Sequence, residues 1–154
     1  MNDYTIEPAS SADKAAILDL LTATDLPRDG AAEHLDGFLV ARDWARCAVA
    51  CAGLERHENI GLLRSVAVAP DSQKSGLGSR LVWEIIERAR RNGIAEIVLL
   101  TTTARKFFGE RFGFVETNRD HYNDALKNSP EWTLPRCSSA AVMKLNLRES
   151  KLPV

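Results

Sequence analysis

The run Val68-Ala69-Pro70-Asp71-Ser72-Gln73-Lys74-Ser75-Gly76-Leu77-Gly78-Ser79 carries the strongest chemical signal in the chain. A strand ends at Pro70, two glycines stand one residue apart, and a strongly apolar helix follows. Glycines let backbone amides approach a ligand with no side chain in the way. A helix N-terminus adds N–H groups that lack intrahelical acceptors, and a partial positive charge. Together they predict a cradle for a phosphate or pyrophosphate. Two familiar phosphate loops do not fit. No Lys-Ser or Lys-Thr follows the second glycine, and the third glycine of the dinucleotide fingerprint is missing.

Other chemistry is sparse. The three histidines, His34, His57 and His121, are scattered. No Ser/His/Asp arrangement and no metal-ligand spacing stands out, so neither a hydrolytic triad nor a bound metal is expected. Cys47 and Cys51 lie in an apolar run that reads as a strand. Four residues of strand separate them by roughly 13 Å, too far for one disulfide or one metal ion. They read as small buried hydrophobes, and so does Cys137.

The elements that must position the loop follow from periodicity. Tyr4–Glu7 reads as a short strand. Ser10-Ser11 caps a helix over Ala12–Ala23, with Ile17, Leu18, Leu20 and Leu21 as its apolar stripe. Leu26–Gly30 is a loop and Ala31–Leu35 a helical turn. Strands follow at Phe38–Ala41, Arg46–Arg56 and Ile60–Ala69, with a turn at His57–Asn59 between the last two. Ser79–Asn92 is a helix with Leu81, Val82, Ile85, Ile86 and Ala89 on one face, and Gly93 ends it. A buried strand lies at Glu96–Leu100, a helix at Ala104–Phe112, and strands at Phe114–Glu116 and Ala140–Leu147. Residues 118–138 read as polar and irregular. This order predicts an α/β fold, a mixed sheet with helices on its faces.

Composition bounds the rest. The chain has 154 residues, 45% of them hydrophobic and 27% charged, which is enough for one sizeable core. Lys plus Arg is 20 and Asp plus Glu is 21, so the formal net charge is −1. Such a chain has no global field to draw nucleic acid or an anionic membrane. Apolar runs are too short for a membrane span. Met1-Asn2-Asp3-Tyr4 has no basic region followed by an apolar segment, so no secretion signal is expected. The odd cysteine count argues against a disulfide framework. The chain reads as one cytoplasmic domain over residues 1–154.

Two segments carry a family resemblance. The pattern Val-x-Pro-x-x-Gln-x-x-Gly-x-Gly over 68–78 resembles the acetyl-CoA-binding motif of the GNAT N-acetyltransferases. Ala104-Arg-Lys-Phe-Phe108-Gly-Glu-Arg-Phe-Gly113-Phe114 is similar to that family's Ala-x-x-Phe-Tyr-x-x-x-Gly-Phe segment. The likeness covers roughly residues 4–147. It implies a central, mixed, splayed sheet of about six to seven strands flanked by about four helices. A narrower likeness, to the arsenic-resistance acetyltransferases of arsinothricin type, rests on four blocks: Gly53-Leu54-Glu55-Arg56; Leu62-Leu63-Arg64-Ser65-Val66-Ala67-Val68; Leu99-Leu100-Thr101-Thr102-Thr103-Ala104 with Phe107-Phe108; and Cys137-Ser138-Ser139-Ala140 with Met143. Ser138 stands where that group has proline, and a proline near Asn123 is absent.

The resemblance implies direct attack of a free amine on acetyl-CoA. It assigns the pyrophosphate to the amides of Lys74, Ser75, Gly76, Leu77, Gly78 and Ser79, with charge from Lys74 and Gln73 as a further cofactor contact. It lays the pantetheine arm along Val66, Ala67 and Val68, and places Thr102, Phe107 and Phe108 beside the cofactor. The amide of Val66 or a close neighbour becomes the oxyanion donor. Glu55 is the proposed base, with His57, whose unperturbed pKa suits the task, as its rival. Phe108 stands where the family often has an acidic tyrosine; a phenyl ring has no proton to give, so the thiolate leaves unaided or takes one from solvent or Tyr122. Arg64, in an otherwise apolar strand, needs an anionic partner or a wet cleft. A substrate carboxylate would serve, as would an internal salt bridge to Glu55. Ser65, Arg119, Ser138 and Ser139 are further substrate candidates, and Arg28 and Asp29 are placed along the same cleft. The implied acceptor is a small amino-acid-like amine, of arsinothricin or phosphinothricin type. A peptide or protein amine, or an acetyl-CoA sensor without turnover, remain alternatives. A homodimer is the expected assembly.

Overall fold

The computed structural model describes residues 4–148. Met1–Asp3, on which the expectation about a secretion signal rests, and residues 149–154 of the expected domain lie outside them. Seven strands hydrogen-bond in one mixed, open sheet: β1 (Thr5–Pro8), β2 (Phe38–Arg42), β3 (Ala48–His57), β4 (Ile60–Val68), β5 (Glu96–Thr101), β6 (Val115–Thr117) and β7 (Ala141–Asn146). Their order is β1-β2-β3-β4-β5-β7-β6. The α-helices are α1 (Lys14–Ala23), α2 (Leu77–Arg91) and α3 (Arg105–Phe112), joined by short 3₁₀ turns such as Ala32–Gly37. The α/β architecture is the one expected. Among the described residues no helix is long and apolar enough to cross a membrane.

The chain packs as two compact units. One takes the chain up to Leu54 together with Arg64–Ile85; the other takes Glu55–Leu63 and the chain from Ile86 onward. In the first unit, β2 pairs antiparallel with β1 (Thr5 with Arg42 through Pro8 with Leu39) and with β3 (Phe38 with Gly53 through Arg42 with Ala48). The apolar stripe of α1, Ile17, Leu20 and Leu21, packs with Phe38, Val40, Cys51 and Ala67 into its core. The strand expected from Arg46 begins only at Ala48. Asp43 Oδ1 accepts from the amides of Ala45 and Cys47 at 3.0 and 2.9 Å, and Arg46 takes a left-handed φ of 68°. That turn leaves Cys47 exposed, correcting its reading as a buried hydrophobe. Cys51 is fully buried as expected; its Sγ donates to the Ser65 carbonyl at 3.4 Å, and burial pushes the thiol up to about 12.

Arg42 locks the N-terminal end of this unit. Its Nη1 and Nη2 donate to both carboxylate oxygens of Asp13 at 3.0 and 2.9 Å, and its Nε donates to Glu7 at 2.9 Å. Asp13 is buried, and the Arg42 hydrogen bonds hold its carboxyl below the usual aspartate range despite desolvation. A lowered carboxylate pKa adds stability above the unfolded-state value, and that stability is lost as the pH falls through the lower folded-state value. Acidification below about pH 4 therefore loosens this unit. Asp13→Asn removes about 2 kcal/mol at pH 7 and flattens the acid limb, read as the urea midpoint against pH; an unchanged limb would put the acid sensitivity elsewhere.

In the second unit, Ile60–Leu63 of β4 pairs parallel with Glu96–Leu99 of β5, β5 runs antiparallel to β7, and β7 to β6. Arg56 ties the β3–β4 turn to the end of α2, donating from Nε to the Glu58 carbonyl and from Nη1 to the Asn92 carbonyl, both at 2.9 Å. The segment 118–138, expected to be polar and irregular, is largely without long elements but not superficial. Tyr122, Leu126 and Trp132 bury themselves with Leu62, Val98 and Val142. Trp132 is thus core, and Trp83 on α2 is half-exposed.

Candidate active site

In the first unit the two-glycine loop grows out of β4. The parallel ladder to β5 ends at Leu63–Leu99. β4 runs on for five residues through Ser65, whose φ of 61° puts a left-handed step in mid-strand. Past that step Ala67 is buried, and Val66 and Val68 are half-buried. The Ala69 amide rejoins β3 at the Val49 carbonyl, 2.8 Å away. The loop then braces itself. Gln73 Nε2 donates to the Val68 carbonyl at 3.1 Å, Ser75 Oγ donates to the Ser72 carbonyl at 2.5 Å, and Ser75 Oγ accepts from the Leu77 amide at 3.3 Å. Lys74 and Gly76 are left-handed, with φ of 68° and 83°.

α2 begins at Leu77, two residues before the expected Ser79, because the Gly76 carbonyl accepts the first helical bond from the Arg80 amide at 3.1 Å. A Cβ on Gly76 would meet nothing within 4 Å, and one on Gly78 would meet only Val68 Cγ2, at 3.8 Å. Neither glycine is demanded by packing against protein at the loop's open side. First-turn amides and an open backbone suit an anionic ligand.

Arg64 sits one residue before the left-handed step and is 2% exposed. Its Nε donates to Ser65 Oγ at 2.9 Å, its Nη1 to the Asp29 carbonyl at 2.6 Å and its Nη2 to the Pro27 carbonyl at 3.0 Å. The buried arginine thus engages the α1–β2 loop, while the Arg28 and Asp29 side chains stay exposed. The lone Arg in an apolar strand led to the expectation of an anionic partner, a substrate carboxylate or Glu55; the backbone carbonyls that it engages leave no mark in sequence.

The second unit holds the base candidates. β3 persists to His57, so Glu55 and His57 share a face. Glu55 is fully buried, and His57 Nε2 lies 3.0 Å from Glu55 Oε1. The His57 side chain is 12% exposed, so neither residue is the solvated strand-end group that a turn position invites. Thr101 Oγ1 accepts from the Ala104 amide at 2.9 Å and so fixes the entry to α3, leaving Thr102 exposed beside it. Phe108 is buried, with ring centroids 5.1 Å from Phe107, 6.2 Å from Phe112 and 5.7 Å from Phe114.

The remaining candidates scatter. Arg119 stacks on Trp132, with its guanidinium carbon 4.8 Å from the ring centroid. It donates to the Trp132 and Cys137 carbonyls at 3.4 and 2.6 Å, so it staples its own segment. Ser138 and Ser139 are exposed beyond that staple. Tyr122, considered above as a proton source, donates its hydroxyl to Glu96 at 2.7 Å at the start of β5. Burial and Glu96 push it up to about 12. Thr101 ends the same strand five residues on, roughly 17 Å away, so Tyr122 does not serve chemistry at the α3 end.

The model of the Acetyltransferase (GNAT) family matches residues 6–114. The chain belongs to the GNAT acetyltransferase family. GNAT acetyltransferases use acetyl-CoA. An amino-acid acetyltransferase of Mannheimia succiniciproducens is 40% identical over 85 residues, 49% of this chain and 19% of that protein. One from Ralstonia nicotianae is 31% identical over 117 residues, 70% of this chain and 26% of that protein. The chain thus spans about a quarter or less of the length of these curated relatives. The N-acetylglutamate synthase of Neisseria gonorrhoeae, solved with coenzyme A and N-acetyl-glutamate, superposes with a TM-score of 0.76 at 22% identity, covering 96% of this chain and 36% of that one. That likeness establishes the fold. The first-turn amides and the open glycines of residues 73–79 fit the pyrophosphate of the GNAT cofactor.

Proposed function

We propose that this chain is an acetyl-CoA-dependent N-acetyltransferase acting on the α-amine of a small, glutamate-like amino acid, with residues 1–154 working as one catalytic domain. The observation that carries the transferase reading is the left-handed step at Ser65, followed by Val66 to Val68 and the two-glycine loop at the start of α2. The acceptor class draws on two supports. The matched relatives are named amino-acid acetyltransferases, and the arsinothricin-type blocks suggest an acceptor that is itself a glutamate analogue. A detoxifying role toward arsenic- or phosphorus-bearing analogues is the narrower form of this reading.

Acetyl-CoA supplies, when bound, an acetyl group as a thioester open to attack by an amine. The backbone of Gln73–Ser79 holds its pyrophosphate, with Lys74 adding charge. Val66, Ala67 and Val68 would line the pantetheine arm, and the family resemblance adds Thr102, Phe107 and Phe108 as further cofactor contacts. The Val66 amide would donate to the acetyl oxygen as charge develops there. Glu55, hydrogen-bonded to His57, takes the proton from the ammonium group. The amine nitrogen would then form the C–N bond as the C–S bond breaks, the sulfur keeping the electron pair, and the nitrogen's second proton would pass to the departing thiolate or to solvent. A thiol pKa of about 8.5 makes that departure tolerable near neutrality without an acid at Phe108. Ser65, Ser138 and Ser139 are available to the acceptor. The reading includes a homodimer, and a cytoplasmic setting to which the exposed thiol of Cys47 is suited.

The test is thiol release from acetyl-CoA by the purified chain. The acceptors are glutamate, methionine, phosphinothricin, arsinothricin, polyamines and short peptides, with products identified by mass and the assembly by light scattering. Turnover on glutamate-like acceptors is expected. Turnover confined to peptides or polyamines would discard the acceptor class and keep the family. Acetyl-CoA binding with no turnover would favour a sensor.

A further inference from the structure

We propose that Arg64 is a positioning residue: its guanidinium clamps the α1–β2 loop at Pro27 and Asp29 to the left-handed step of β4, and so shapes the acceptor side of the site. The proposal rests on the transferase reading for its kinetic consequence, but not for its geometry.

The loop leaves α1 along a fixed path. Asp25 takes a left-handed φ of 57°, and the Leu26 amide returns to the Leu21 carbonyl at 2.8 Å. The Ala31 amide closes on the Arg28 carbonyl at 3.1 Å. Between these two bonds lie Pro27 and Asp29, and both of their carbonyls accept from Arg64, at 3.0 and 2.6 Å. A guanidinium that is 2% exposed is costly unless its donors are met. Here its planar fork meets them with backbone oxygens, whose positions report the loop's conformation rather than its side chains. The third bond, from Nε to Ser65 Oγ at 2.9 Å, fixes the other end of the clamp at the strained residue just before Val66. One side chain therefore couples the loop to the backbone step that sets the proposed oxyanion donor. Lysine carries a single ammonium on a flexible stem and cannot reproduce three divergent bonds.

A carboxylate-binding role predicts something different, and the difference is measurable. Arg64→Lys and Arg64→Ala are compared with the parent on the best amino-acid acceptor and on the matching amine without a carboxylate. Hydrogen exchange at the Leu26 and Ala31 amides is followed in the same proteins. As a positioning residue, Arg64→Lys raises the acceptor KM about tenfold for both amines, the loss of roughly one charged hydrogen bond. The acetyl-CoA KM stays within about twofold. Exchange at Leu26 and Ala31 quickens about tenfold while the β2 amides keep their protection. A loss confined to the carboxylate-bearing acceptor would make Arg64 a substrate ligand and overturn the proposal, as would unchanged exchange at Leu26 and Ala31. Should Arg64→Ala fail to fold, Ser65→Ala removes one acceptor and is expected to speed the same two amides by a smaller factor. If no amine is turned over, the transferase reading fails on its own, and exchange still decides the clamp.

Discussion

Replacing Glu55 by glutamine is expected to lower kcat/KM for a basic amine by at least about 100-fold, the lower range for loss of a positioned base. Glutamine keeps the volume and can still hydrogen-bond to His57, so the buried site is not left with a cavity. The pH profile separates chemistry from packing. With Glu55 in place, the rate falls on the acid side as the base becomes protonated. In Glu55→Gln that limb vanishes, and the rate instead rises with pH in step with the free-amine fraction. An acceptor whose amine is already largely neutral at the assay pH should lose far less. His57→Gln completes the argument. If His57 only orients Glu55, its variant keeps the acid limb and loses a modest factor; if His57 is the base, the roles exchange. A Glu55→Gln enzyme with parental rate and profile would leave Glu55 as a buried carboxyl with a structural role, and water as the base.

That pair also marks where sequence was readable. Glu55 and His57 are two apart in a run with strand composition, so period two placed them on one face, and the strand does reach His57. What period two could not give was depth. Full burial of Glu55 depends on what packs over the end of β3, which one strand does not encode. The helix stripes of α1 and α2 and the apolar run of β4 were legible for the same local reason: each repeats its own period. The start of β3 was not, because Asp43 caps the amides of Ala45 and Cys47 and so removes Cys47 from the strand. The 118–138 segment hid its core for a related reason. Tyr122, Leu126 and Trp132 are too far apart in a polar stretch to show any period, yet a non-local cluster with Leu62, Val98 and Val142 collects them. The loop after β4 was visible from its glycines as an open turn into a helix. The left-handed step at Ser65 was invisible, since serine carries no mark of a positive φ.

Gly53 shows the same limit turned to use, and the second large effect is expected there. Within the motif Gly53-Leu54-Glu55-Arg56 the glycine is not a hinge: it sits in mid-strand opposite Phe38 in the β2–β3 ladder. A Cβ built on Gly53 would lie 2.5 to 2.8 Å from three carbons of the Phe38 ring. The ring is 1% exposed and belongs to the core with Ile17, Leu21 and Val40, so it cannot swing clear. Gly53→Ala therefore overpacks the first unit by about 3 kcal/mol, which in a chain of this size lowers Tm by roughly 6 to 12 °C. Alanine is otherwise the better strand residue, since glycine loses more backbone entropy on folding; without the clash the substitution would stabilise. The sign of the change thus reads the Phe38 contact directly. Phe38→Leu alone costs stability by leaving space, and in the double variant the new methyl occupies part of that space. The two changes should then couple by more than about 1 kcal/mol in the favourable direction. Additive losses, or a Gly53→Ala protein as stable as its parent, would mean that the ring does not cover Gly53 and that the β2–β3 register at this pair is different.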